Sequence, residues 1–499
     1  MKPPLLILAR RVIPVVSPPL DDAGVLVRDG RVEVLGPAQD LRRAYPEAAA
    51  TDIGDCVLMP AFVDAHVHLF ELVRLRSGVD LEGAQDAEMV AEKLLAGRPL
   101  SGWRLGFGLD RNRFSGFSKA ARDFLDRVEP QLPLVVFSRD LHTVWGNSPA
   151  LAAAGLPLGS GELTEGDTLP LRRIIPAPEG EEWARAFSRV TRELHRAGIA
   201  RVGDFSGFRL HRRLLAAQED RALPLRVTTS IHLDEVAEAK KFGFRSGRLM
   251  GRVTCGYLKL FGDGSLGSRT AWMKKPYRGM DRTGVRTFDT ESLRALVADS
   301  HAGGVRVALH AIGDAAVCQA SAVLTPIDRV EHAQHAGAED IESLARAGCA
   351  CCVNPQHIGL DWRAAMDVLE DGGKGAYPLS SLARAGIMLA FGSDAPVAPA
   401  DPARAMAWAA SRKGPDGVPE GGFFPGERLD RQRCLEAATK NASSLALAPF
   451  EGWIGEGSCA DLAALSSDPT RMVTGDETAD LFSVKVTRLW IGGEEQKLE

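Results

Sequence analysis

The stretch PAFVDAHVHLFE, residues 60–71, is an apolar run that closes on two imidazoles, His66 and His68, one residue apart. In a strand, side chains at i and i+2 leave the same face. The two rings therefore project together from the end of a segment that otherwise reads as core. Taken alone they are packing residues, a hydrogen-bonded pair, or two ligands of one metal. The choice depends on what the rest of the chain brings to the same place.

Outward from this stretch, apolar β runs alternate with amphipathic helices. The runs are VLMPAFVDA (57–65), LPLVVFSRD (132–140), GIARVGDF (198–205), LRVTTSIHL (225–233), VTCGYLKLFGDG (253–264), GVRVALHAIGD (304–314), IDRVEHAQ (327–334), GCACCVNPQ (348–356) and GIMLAFGSDAP (386–396). Helical patterns such as WARAFSRVTRELHRAG and DTESLRALVADSHAGG precede several of them. Strands separated by helices predict a parallel sheet, and this many predict a (β/α)8 TIM-type barrel. Nine candidates for eight staves leave one outside. Residues 77–178 break the rhythm with Gly-rich turns, so they read as an insertion after the first strand that covers the active site. LPLVVFSRD then belongs to the insertion. Both termini carry short β runs, with a hairpin signal at Asp29-Gly30. This predicts a small β-sandwich from residues 1–56 and 446–499, around a barrel of 57–76 and 179–445.

A chain of 499 residues, 45% hydrophobic and 25% charged, has room for more than one core. A formal charge of −5 gives no reason to expect nucleic acid or an anionic membrane surface as partner. No apolar run reaches the ~20 residues of a membrane helix, and the start lacks a signal-peptide pattern. The expected location is cytoplasmic, and a homo-oligomer is compatible with the sequence. The eight cysteines are scattered apart from Cys349, Cys351 and Cys352. No second ligand pair at matched spacing accompanies that cluster, so it reads as a reduced, buried strand rather than a zinc site.

Several barrel strands end in a metal-binding or acid–base residue. After His66 and His68 come Lys259 in GYLKLFGDGS, His310 in VALHAIGD, His332 in RVEHAQH and Asp394 in LAFGSDAPV. Singly, a strand-end histidine is a hydrogen-bonded core residue, Asp394 a helix N-cap, and Lys259 a snorkelling side chain. Jointly, at the C-terminal mouth of one barrel, they make a divalent-metal site. A lysine of depressed pKa there reacts with CO2 to give an anionic carbamate, whose two oxygens can bridge two metal ions.

This set of residues resembles the amidohydrolase superfamily, and within it the YtcJ-like and N-substituted formamide deformylase subgroup. MPAFVDAHVH is similar to that family's first metal strand, LKLFGDGSLGSRTA to its lysine segment, and LHAIGDAAV, RVEHAQH and FGSDAPV to its other ligand strands. SRDLHTVWGNSPAL resembles the subgroup's substrate loop, and residues 438–465 its exit into the terminal sandwich. The resemblance implies that His66, His68 and Asp394 bind the more buried metal, that Lys259 bridges as its carbamate, and that His310 and His332 bind the second metal. It implies zinc or another divalent ion, one or two per chain.

The implied chemistry is hydrolysis of an amide-type C–N bond of a small molecule by metal-bound hydroxide, with Asp394 as general acid and base. His142, in the insertion, is the candidate contact to the substrate carbonyl or its oxyanion, with Arg269 and His357 as further substrate contacts and Asp110 as a weaker candidate. Two other readings compete. A mononuclear hydrolytic deaminase of the same superfamily carries a Glu three residues after the fifth-strand His, and none follows His310. A non-catalytic scaffold keeps the fold without metals, whereas every ligand type is present here.

Overall fold

The computed structural model describes residues 3–109, 120–138, 143–220, 223–471 and 477–498. The chain divides into two compact units. One comprises residues 1–67, 194–394 and 399–499, and the other residues 68–193 and 395–398.

The first unit holds eight parallel strands in chain order: Phe62–Val67, Ile199–Asp204, Arg226–Ile231, Val253–Phe261, Arg306–Ala311, Arg329–His332, Ala350–Val353 and Leu389–Phe391. Each of the seven neighbouring pairs is parallel. Four of these strands are buried along their whole length, as expected where helices cover one face and a barrel interior the other. Lys259 lies on the fourth strand, opposite Ala308, and His310 lies opposite Glu331.

Closure between the first and eighth strands comes just past the strand ends. The Asp394 amide donates to the His66 carbonyl at 2.7 Å, and the Ser393 amide to Asp64 Oδ1 at 2.9 Å. This approach needs a glycine. A Cβ on Gly392 would stand 2.5 Å from His66 Cβ and 3.0 Å from Cys352 Sγ.

Both termini build one small sandwich in the same unit. Its strands run, side by side, Glu494–Glu495, Val486–Ile491, Leu462–Leu465, Val57–Pro60, Leu5–Val12, Leu20–Arg28 and Arg31–Pro37, with Ala49–Asp52 beside Leu5–Val12. Asp29 and Gly30 both take positive φ, 49° and 77°, and Arg28 faces Arg31. This is the two-residue hairpin expected for Asp-Gly. Ile7, Val25, Leu58, Leu462 and Trp490 pack on one face, and Leu6, Leu8, Leu26 and Leu41 on the other.

The ninth candidate run lies in the second unit. Leu134–Ser138 is the middle strand of a five-stranded sheet, between Arg104–Leu109 and Thr143–Gly146. Among the described residues no helix is long and apolar enough to cross a membrane.

The base of the barrel is tied to the exit segment by buried ion pairs. Arg201, 1% exposed, donates to both carboxylate oxygens of Glu451 at 2.6 and 2.8 Å, and to Thr228 and Thr254. Arg226 similarly pairs with Asp461 at 2.7 and 3.1 Å. Removing one partner of such a pair leaves a charge in a medium that cannot solvate it. Glu451→Ala should therefore cost about 3–5 kcal/mol of stability in urea unfolding, and Arg201→Met with Glu451→Leu should restore most of it. A loss under about 1 kcal/mol for Glu451→Ala would show that Arg201 finds other compensation.

Candidate metal centre

The strand ends bring His66, Lys259, His310, His332 and Asp394 into one cluster within the barrel unit. The His310 and His332 ring centroids lie 4.5 Å apart, and those of His66 and His332 5.2 Å. Asp394 Oδ1 stands 3.3 Å from His66 Nε2. His332 and Asp394 both adopt positive φ, 72° and 58°, so the chain turns sharply as each ligand type leaves its strand. The helix beginning at Pro402 is capped by Asp401, so Asp394 is not a helix cap.

Hydrogen bonds settle which nitrogen of each ring stays available. His66 Nδ1 faces Glu331 Oε2 at 2.5 Å, so the ring donates there and its lone pair is on Nε2. His332 Nδ1 faces Asn354 Oδ1 at 2.7 Å, with the Asn354 amide donating to the Gly392 carbonyl at 2.9 Å. The Asn354 orientation makes Nδ1 the donor and leaves His332 Nε2 as the base. His310 Nε2 donates to the Gly264 carbonyl at 3.0 Å, leaving Nδ1. Burial holds His66 down to about 4 and His310 down to about 3, with Lys259 adding to both, and pushes His332 well below its ordinary value. Neutral imidazoles are the form that binds metal.

Lys259 is 2% exposed, its ammonium nitrogen 4.5 Å from the Phe205 ring centroid and 5.2 Å from that of Phe261. Burial lowers its pKa. The donor set fits a divalent cation. The His66 Nε2 lone pair and an Asp394 carboxylate oxygen face each other at a distance where two acceptors repel unless positive charge lies near both.

Four residues of the site went unread in the sequence. Glu331 is fully buried between Arg329 and His66, and Arg329 also donates to the Ala65 carbonyl at 2.8 Å. Burial alone would raise the Glu331 carboxyl, but Arg329 and then His66 override it and hold it below the usual range. The readable signal was two opposite charges at i and i+2 in the buried run RVEH. Asn354, already described, follows the seventh strand. Asp64 accepts from the Ser393 and His66 amides, and burial pushes it up to about 6. Asp263 accepts from Trp272, Ile312 and Gly313 amides at 2.8–3.0 Å, lies 3.4 Å from His310 Nε2, and is raised by burial to about 7.

The placement of the remaining predicted positions varies. His68 belongs to the second unit, where it precedes the Leu69–Arg76 helix and donates its amide to the Ala395 carbonyl at 2.7 Å. His142 and Asp110 lie outside the described residues. Arg269 sits in the loop after the fourth strand at positive φ, its Nη1 3.9 Å from Met280 Sδ. His357 does join: its Nε2 lies 4.0 Å from Asp394 Oδ2. Cys349, Cys351 and Cys352 are buried free thiols on and beside the seventh strand. Cys352 comes near His66 and Glu331 in a ligand-like triad, but Arg329 and His66 already occupy that carboxylate.

Glu331 sets the tautomer and direction of His66, so its charge should matter to a metal that it does not touch. Glu331→Gln should weaken divalent-metal affinity about 10–100-fold. Competition with a chromophoric chelator measures this, and an unchanged affinity would show that His66 is oriented by something else.

The profile of the Amidohydrolase family matches residues 49–495. An imidazolonepropionase-like composite domain of bacteria matches residues 23–48. The chain is 28% identical to YtcJ of Bacillus subtilis (strain 168), covering 94% of this chain and 95% of that protein. It is 23% identical to the N-substituted formamide deformylase of Arthrobacter pascens, covering 94% of each. Among solved structures, an uncharacterized metal-dependent hydrolase from Pyrococcus horikoshii OT3 shares 25% identity at a TM-score of 0.80, over 94% of this chain and 98% of that one. The matched segment runs from the terminal sandwich through every barrel strand that carries a candidate ligand, and the chain belongs to the amidohydrolase family.

Proposed function

We propose that the chain hydrolyses an amide-type C–N bond of a small molecule with one or two bound divalent cations, zinc being the first candidate. One observation carries this reading: imidazoles, a buried lysine and a carboxylate converge where parallel strands end, with one nitrogen of each ring engaged by a hydrogen bond that fixes its orientation. His66, His68, Lys259, His310, His332 and Asp394 would hold the cations. When bound, such a cation polarises a carbonyl and lowers the pKa of a water molecule beside it.

The chain's own groups do the rest. Lys259 is buried with a lowered pKa, so its Nζ lone pair can attack CO2 and release one proton, forming a carbamate. The carbamate would place a negative charge among the imidazoles. Asp394, pinned by the bond from its amide to the His66 carbonyl, takes the proton of the attacking water on a carboxylate oxygen and returns it to the leaving nitrogen. His142 would meet the substrate carbonyl. The deaminase reading is disfavoured by packing as well as by sequence. Gly313 stands where that Glu would be, and a Cβ there would lie 2.1 Å from the Trp272 carbonyl oxygen.

The formamide deformylase among the relatives makes N-formyl amines the first compounds to test, followed by N-acyl and cyclic amides. Zinc-loaded protein should turn over at least one class, chelation should abolish turnover, and bicarbonate should improve zinc reconstitution of the apo protein. Asp394→Asn should lower kcat by about 100-fold or more, the scale of a general acid–base contribution. A fully active metal-free preparation would end this reading.

A further inference from the structure

Asp394 presents one oxygen to His66 and the other to His357, and the second contact belongs to no ligand set carried over from the family. His357 opens the helix His357–Val368, directly after the seventh strand, and is 6% exposed. Its Nε2 is buried without a hydrogen-bond partner among the described residues. That atom lies 4.0 Å from Asp394 Oδ2, too far for a hydrogen bond. The His332 and His357 rings are near-parallel, with centroids 6.3 Å apart. His332, His357 and Asp394 each offer one ligand atom, and these three atoms lie within 4.8 Å of one another.

A buried imidazole nitrogen without a partner is costly, and a cation shared with neighbouring donors is one way to satisfy it. The other two members are prepared for that role. Asn354 engages His332 Nδ1 and leaves Nε2 free, and the Asp394 backbone is fixed by His66. Asn354 also holds both sides of this triad. It grips His332 on the sixth strand and the Gly392 carbonyl two residues before Asp394, and its own carbonyl accepts the His357 amide at 3.0 Å. One side chain and its backbone thus fix the spacing of all three donors.

We infer that His357 is a metal ligand, seating a divalent cation with His332 and Asp394. This rests on the metal-dependent reading above and adds to it a donor from the seventh strand's loop. The cation then contacts one end of the Asp394 carboxylate while His66 faces the other.

The test uses full-length protein loaded with Co(II), whose visible absorption reports its ligands, and chelator competition to measure affinity. His357→Ala should weaken the affinity for one cation per chain by about 100-fold or more, beyond the loss typical of a residue that only orients a ligand. Its cobalt spectrum should change, and added imidazole should restore spectrum and affinity. His357→Asn, of similar polarity and smaller size, should show the same loss while its apo form melts as the apo wild type does. Wild-type affinity and spectrum in both variants, with any defect confined to KM, would overturn the assignment and make His357 a substrate contact. A wild-type protein that takes up no cation would instead overturn the metal-dependent reading itself, so the two failures are told apart.

Discussion

The buried chain Arg329–Glu331–His66 is the interaction around which the barrel interior is organised. A carboxylate with no exposure survives there only because a guanidinium and an imidazole N–H saturate it. The same guanidinium donates to backbone carbonyls of the first strand and of residue 445, so one side chain ties the sixth strand, the first strand and the barrel exit. The first histidine of the site is thus held by a network that also holds the strands. Its orientation cannot be altered without disturbing the packing of the barrel.

A second layer of polar residues does the same for the other donors. Asp64 grips the turn that carries Asp394, Asn354 sets His332, and Asp263 gathers three amides beside His310. Each donor is therefore fixed by a neighbouring strand or by the loop after one, rather than by its own segment alone. This is how a site assembled from chain segments hundreds of residues apart keeps its donors in place.

Much of this was legible in the sequence, for a physical reason. A barrel puts its chemistry at strand ends, so a polar residue closing an apolar run is conspicuous, and His66, His310, His332 and Asp394 each close one. Lys259 stood out as the charge inside such a run. Glu331 and Asn354 did not, because each works on a neighbouring strand, and inter-strand register is not written in local pattern. Glu331 was further masked by the histidine that follows it. The excluded ninth strand was readable because it lay in a region without the helix–strand rhythm. His357 was harder: it opens a helix rather than ending a strand, and the carboxylate it faces, Asp394, sits at a left-handed turn after another strand.

The pairing of Leu58 with Ala464 joins the fifth strand of the sandwich sheet, counted along the chain, to one made some four hundred residues later. Beneath it, Tyr257, Thr228 and Arg329 direct buried polar groups at the carbonyls of residues 445 and 446. A ribosome makes those acceptors only after all eight barrel strands. Until then the Val57–Pro60 strand has an open edge and the barrel floor has unmet donors. Residues 445–465 act as the latch that commits both to their final form.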